Sequence, residues 1–304
     1  MSSEKFAFAL RPGVFSPSEI KEASTILEEN KRVAGVFIPD GRSGYEAIEI
    51  SSSILASTRR LYAGSGVIRL LEHDPGLLTR RVQTIQAFSS NRLILGVGTG
   101  SPGSQPGKTV MAMLDRIDEM NKAFQAFPVG VEAPEVYVAT LKTGIAKRAV
   151  GKADGLLLNF CSPSHAKGLI ATVKPQMAAQ IEFACYLKVF YSSNNDETAQ
   201  RLLLQEFLNY DSTSQYHEMF LQDGTAEAIS RFRNVETWKT GKISVPRELL
   251  RASLANATDD ELHSYVETFR KAGVTLPVVY PYFPQDEKST FKIQTIRRIL
   301  ASLP

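Results

Sequence analysis

A chain of 304 residues with 43% hydrophobic and 22% charged residues is long enough to bury a core without disulfide or metal staples. Its 35 basic and 32 acidic residues leave a net charge of +3 with no dense Lys/Arg run, which argues against a nucleic-acid partner. No stretch approaches the ~18 apolar residues of a membrane span, the start MSSEKFAFALRPG has no secretory pattern, and Cys161 and Cys185 read as reduced core thiols, so a cytoplasmic protein without a membrane partner is expected.

Short apolar runs alternate with segments of helical period along the whole chain. The runs are FAFAL (6–10), AGVFIP (34–39), RLYAGSGVI (60–68), RLILGVG (92–98), EVYVATL (135–141), GLLLNF (155–160), IEFACYLKVF (181–190) and LPVVYPYF (276–283). Most are apolar throughout, as parallel strands covered on both faces must be. After the first run, Ser16, Pro17 and Glu19 spell a helix start with a capping box. Further on, Leu78, Val82 and Ile85 share one helical face, and Val110, Met113, Leu114, Ile117, Met120 and Phe124 another, with that helix beginning near Thr109. A stretch at about 194–273, between the seventh and eighth runs, reads as several helices, VPRELLRASL among them. Eight strand–helix units with one late helical insertion predict an α/β chain, a (β/α)8 barrel forming a single domain over 1–304, in preference to a doubly wound sheet.

The fourth run ends in Gly98-Thr99-Gly100-Ser101-Pro102-Gly103, a literal G-x-G-x-x-G. A dinucleotide fingerprint needs those glycines to run straight into a helix and an acid about 20 residues on. Here Pro102 and Pro106 intervene and the next strand ends VATLKTG without an acid, so the match is one of spacing only. A glycine-rich strand end still lies on the face where barrel enzymes build their sites. Three other strand ends point to the same face. Gly64 and Gly66 interrupt the third run as in a bulge, Asp40 ends the second, and Lys142, Thr143 and Gly144 open a helix after the fifth, a composition suited to an anion.

These blocks resemble the bacterial luciferase-like superfamily, and within it the coenzyme F420-dependent branch that contains the methylenetetrahydromethanopterin reductases. EVYVATLKTGIAKRAVGKADGLLLNFCSPSHA (135–166) resembles the family's fifth-strand to sixth-strand block. SGVIRLLEHDPGLLTRRVQTIQAFSSNRLILGVGTG (65–100) resembles its third-to-fourth-strand block, and VPRELLRASLANATDDELHSYVETFRKAGVTLPVVYP (245–281) its C-terminal block. Together they cover about a third of the chain, in order. The resemblance implies a deazaflavin, F420, or alternatively FMN, lying across the barrel mouth. It implies a non-prolyl cis peptide in the third-strand bulge, near Ser65, Gly66 and Val67 and placed at Gly66–Val67. It further implies cofactor contacts from Asp40, from Gly98, Thr99 and Gly100, and from the loop Thr140, Leu141, Lys142, Thr143, Gly144 and Ile145. The family's barrels also pair, so a homodimer or tetramer is expected.

The departures bear on mechanism. Relatives carry a His after the Asp40 position, where this chain has Gly41, and acids at the positions of Ala9 and Ser101. The family's proton donors therefore do not carry over. Glu72 and His73, beside Asp74 in the loop after the third strand, are the candidate replacements, since a His between carboxylates titrates upward; the competing reading is that Asp74-Pro75 starts the next helix. Arg11 and Ser101 are candidates for the substrate side. Tyr210, Tyr216, His217 and Trp238 are available to roof the pocket, with core packing favoured for each. The expected activity is hydride transfer between F420 and a small organic substrate, a methylene-tetrahydropterin being one option. An FMN-dependent monooxygenase and a catalytically silent flavin-binding barrel are the alternatives. No metal site is expected.

Overall fold

In a computed structural model, which describes residues 5–42, 44–100, 105–176, 181–233 and 243–303, the eight runs all become strands. β1 (Phe6–Ala9) lies between β2 (Val33–Ile38) and β9 (Leu276–Tyr282). The parallel order continues from β2 through β3 (Tyr62–Arg69), β4 (Leu93–Gly98), β5 (Glu135–Ala139) and β6 (Gly155–Asn159). β7 (Glu182–Phe190) pairs with both β6 and β9 and closes the sheet into an eight-stranded barrel. A doubly wound sheet would have left two open edges.

Both faces of the barrel wall are buried, for different partners. Ala7, Ala9, Phe37, Tyr137, Tyr186 and Tyr280 belong to the cluster that fills the interior. Their neighbours Phe6, Phe8, Val36 and Ile38 belong to the larger cluster under the helices. This is why the strands read as continuous apolar runs and not as alternating ones.

The helices begin where their caps dictate. α1 (Pro17–Glu29) has the full capping box, the Glu19 amide donating to Ser16 Oγ at 3.3 Å and the Ser16 amide to Glu19 Oε2 at 2.6 Å. α2 spans Ala47–Ser57. α3 (Pro75–Ser89) is capped by Asp74, which accepts from the Leu77 amide at 2.8 Å, and it buries Leu78 and Val82. α4 (Pro106–Phe124) buries the Met113, Leu114, Ile117, Met120 and Phe124 stripe. It starts at Pro106 and not near Thr109, because a proline with its preset φ suits the first turn. α5 (Thr143–Ala149) and α6 (Pro163–Val173) follow β5 and β6.

After β7 come α7 (Asp196–Asp211), α8 (Ser214–Gln222) and α9 (Ala226–Arg233). VPRELLRASL is not the helix its composition predicts. It makes a short 3-10 turn at Leu249–Arg251, and Ser253–Ala255 then forms β8, which pairs with Lys188–Phe190 of β7 beyond the stretch that pairs with β6. Three residues carry too little pattern to betray a strand. α10 (Asp259–Lys271), opened by a second capping box at Thr258, and α11 (Ser289–Ser302) flank β9 and pack on each other. Cys161 and Cys185 are both free and buried. No described helix is long and apolar enough to cross a membrane.

Candidate functional site

The C-terminal ends of the strands open into two adjoining cavities, of about 600 and 470 Å³. Pro39, Asp40, Arg42, Tyr210, Tyr216 and Tyr280 line both, so the two are lobes of one mouth. The inner lobe is floored by Gly66 and Val67, bounded by Gly100 and Ala139, and walled by Tyr186 and Asn159.

The floor is built by glycines at points of close approach. The β3–β4 register shifts between Ser65 and Ile68, which is the bulge the third run predicts, and the Gly66–Val67 peptide within it is cis. A Cβ on Gly66 would fall 1.7 Å from Tyr186 Oη, and that hydroxyl donates to the Gly66 carbonyl at 2.9 Å. Gly98 lies under Val67, leaving only 2.8 Å between a would-be Cβ and Val67 Cγ2. Gly100 has φ +65°, a conformation that favours glycine, and it packs against the Arg69 side chain. Ser65 is fully buried and ties the bulge to β4, donating to the Gly96 carbonyl at 2.8 Å. Thr99 is half-buried and bonds its neighbour's carbonyl at 3.1 Å. Ser101 lies outside the described residues.

Arg69, the last residue of β3, organises one rim. Its guanidinium pairs with Asp40 at 3.3 Å and Glu72 at 2.7 Å, and donates to the Gly41 carbonyl at 3.0 Å. Asp40 is the carboxylate of the inner lobe among the described residues. Burial pushes its carboxyl above the usual aspartate range, and Arg69 offsets this only in part. Because the folded state then holds its proton more tightly than the unfolded chain, Asp40 costs stability at neutral pH. The cost disappears as pH falls through the folded-state pKa. Asp40→Asn is therefore expected to raise the urea midpoint at pH 7, with the gain shrinking toward zero on acidification; a gain that grows on acidification would contradict the sign.

The candidate acids of the β3 loop stand apart from the two lobes. Glu72 is exposed and bonded to Arg69, whose hydrogen bond holds its carboxyl below the usual range, so it is a standing carboxylate and not an acid at neutral pH. Asp74 is committed to capping α3, so His73 is not held between two free carboxylates. Neither Glu72 nor His73 lines either lobe. The loop Thr140–Ile145 also lies outside both linings, and the Lys142 ammonium is engaged by Glu218 of α8 at 2.7 Å. Thr140 Oγ1 closes its own turn on Lys142, and Leu141 packs against the core with its carbonyl 2.9 Å from His165 Nε2. Thr143, Gly144 and Ile145 form the first turn of α5.

Arg11 does line the outer lobe, with its guanidinium 5.3 Å from the Tyr282 ring centroid and 3.9 Å from Glu206. Tyr210 and Tyr216, for which packing was favoured, line both lobes, whereas His217 turns its Nδ1 to Asp211 at 2.7 Å and Trp238 lies outside the described residues. Sequence reasoning passed over Arg42, Arg69, Asn159 and a buried pair, Lys188 and Glu206. Lys188 had a signal. It is a charge in the interior of IEFACYLKVF, a strand whose other charge, Glu182, sits at its start, and such an interior charge is almost never buried without a partner. It is fully buried, ion-paired with Glu206, and surrounded by aromatic rings.

The sequence matches the model of the luciferase-like monooxygenase family over residues 9–126 and 116–276. The chain belongs to that family. Comparison with curated proteins found no match. Among solved structures, the luciferase-like barrel described above is similar to an F420-dependent secondary alcohol dehydrogenase in complex with an F420–acetone adduct, at 12% identity over 99% of each chain with a TM-score of 0.75. It is also similar to a coenzyme F420-dependent tetrahydromethanopterin reductase from Methanopyrus kandleri, at 18% identity over 98% of each chain and a TM-score of 0.69. The FMN-bound oxygenating constituent of 3,6-diketocamphane monooxygenase from Pseudomonas putida matches at 13% identity, over 99% of this chain and 98% of that one, with a TM-score of 0.67. At these identities the likeness speaks for the luciferase-like fold.

Proposed function

We propose that this barrel is an oxidoreductase that binds the deazaflavin F420 across its mouth and transfers a hydride to or from a small organic substrate. The observation that carries the reading is the inner lobe itself. Its volume of about 600 Å³ is of the size that holds a tricyclic ring. Gly66, Val67 and Gly100 give it a floor with little side chain in the way, and Tyr186 and Tyr280 give it aromatic walls. Arg42 places a cation at the rim, which suits a ligand with an anionic tail, while Arg69 beside it is paired with Asp40 and Glu72. These residues fit the group: Gly66 and Val67 would support the ring, Asp40 would face its polar edge, and Arg42 would take the tail. When bound, the deazaflavin would supply the carbon that gives or accepts hydride.

The chain's own contribution is placement. Tyr186 Oη, bonded to the Gly66 carbonyl, fixes the height of the floor. The roof helices α7 and α8 bring Tyr210 and Tyr216 over the lobe and reduce its contact with water. The resemblance of the three sequence blocks supports F420 over FMN. The test is a titration of the purified protein with F420 and, separately, FMN, read by quenching of their fluorescence. Saturable quenching of F420 is expected. Quenching of FMN alone would replace this reading by the monooxygenase one, and quenching of neither would overturn both.

A further inference from the structure

The outer lobe holds a cation for which a cofactor in the inner lobe has no use. Asp40 and Arg42 line both lobes, whereas Arg11, just after β1, and Glu206 of α7 line the outer lobe alone. Arg11 is held in place without being satisfied. Its guanidinium lies over the Tyr282 ring, 5.3 Å from the centroid, and its ion contact is Glu206 Oε1 at 3.9 Å, beyond hydrogen-bond distance. Lys188 Nζ takes that same carboxylate oxygen at close range. Among the described residues the Arg11 guanidinium makes no hydrogen bond, so its N–H donors are left to water or to a ligand.

The charges around it do not balance. Arg11 and Lys188 share the one carboxylate of Glu206, which leaves a surplus of one positive charge. Asp40, which also lines the outer lobe, does not cancel it, because Asp40 is paired with Arg69 at 3.3 Å. Much of the remaining wall is flat and apolar, made by Pro12, Pro39 and the rings of Tyr45, Tyr210, Tyr216 and Tyr280. Tyr45 is 56% exposed, a large aromatic side chain left uncovered along the lobe.

A single surplus charge carried on a planar fork calls for a monoanion, and a carboxylate meets that fork with two parallel hydrogen bonds. The aromatic wall calls for a planar body behind the carboxylate. We propose that the outer lobe is the substrate pocket and that it selects a small monocarboxylate with a planar, apolar body, bound through Arg11. This rests on the reading of the inner lobe as the cofactor seat and names a substrate class for the same mouth. Lys188, by occupying Glu206, leaves the Arg11 donors to the ligand.

The test is calorimetric titration of the full-length protein, with and without saturating F420, using benzoate, trans-cinnamate and 2-naphthoate, each against its neutral primary amide. At least one acid is expected to bind roughly tenfold more tightly than its amide. Arg11→Met and Arg11→Gln should each lose that preference and leave the quenching of F420 fluorescence unchanged; if one variant fails to fold, the other decides. Equal affinity for acid and amide, no binding of any of the acids, or a preference that survives the substitution would overturn the proposal. Weaker F420 binding in the Arg11 variants would also overturn it, because the guanidinium would then serve the cofactor's own anionic tail. F420 quenching without an acid preference would sink this proposal alone; an Arg11-dependent preference without quenching by F420 or FMN would sink the cofactor reading alone.

Discussion

Glu206→Ala is expected to destabilise the protein by about 3–5 kcal/mol, the largest loss predicted for any single side chain of the mouth. Lys188 is fully buried on β7 and its ammonium pairs with Glu206 of α7. Removing the carboxylate strands that charge among Phe160, Tyr210, Tyr280 and Tyr282, whose ring centroids lie between 4.1 and 5.7 Å from Nζ. The ring faces attract the cation but do not replace an anion. Arg11 loses the same partner at 3.9 Å, though its side chain is 43% exposed and can turn to water. Lys188→Met combined with Glu206→Leu removes both charges, and its stability should return to wild type or above it. Urea unfolding of the single and double variants measures the difference. If the double variant is as unstable as Glu206→Ala, the loss comes from packing and not from an unpaired charge.

The second large effect is at the floor. Gly66→Ala places a methyl 1.7 Å from Tyr186 Oη and 2.9 Å from its Cζ. The tyrosine has little room to retreat, because the residue is 4% exposed and its ring packs edge-on against Phe37 and Tyr280. Overpacking of this kind costs about 1–3 kcal/mol. It should also tilt the floor and abolish F420 binding while the barrel still folds. Adding Tyr186→Phe removes the closest atom, so the double variant should be more stable than the sum of the two single losses. Simple additivity would show that the hydroxyl is not what Gly66 makes room for.

The barrel was legible because its strands are buried on both faces, which turned most of the eight stretches into continuous apolar runs. β8 was not, since Ser253–Ala255 is held by pairing with β7 and not by any pattern of its own. At the site, Gly66, Val67, Gly100 and Asp40 were legible as strand-end residues that only a barrel mouth would bring together. For Glu72 and His73, sequence shows neighbours along the chain and hides the charge that captures them. Arg69 takes Glu72, and α3 takes Asp74. The Lys142 pairing was equally hidden, since its partner Glu218 is 76 residues away. The phenols of α7 and α8 could not be ranked from sequence at all. A tyrosine that packs and one that lines a cavity have the same local pattern, and only the fold, which sets Tyr210 and Tyr216 on both lobes, separates them.

The central claim, that the glycine-floored inner lobe seats the cofactor, is tested most directly by a crystal structure of the protein with F420. The account predicts the deazaflavin ring against Gly66 and Val67, with Arg42 on its anionic tail. A ring bound elsewhere on the barrel, with the inner lobe free of it, would contradict the account.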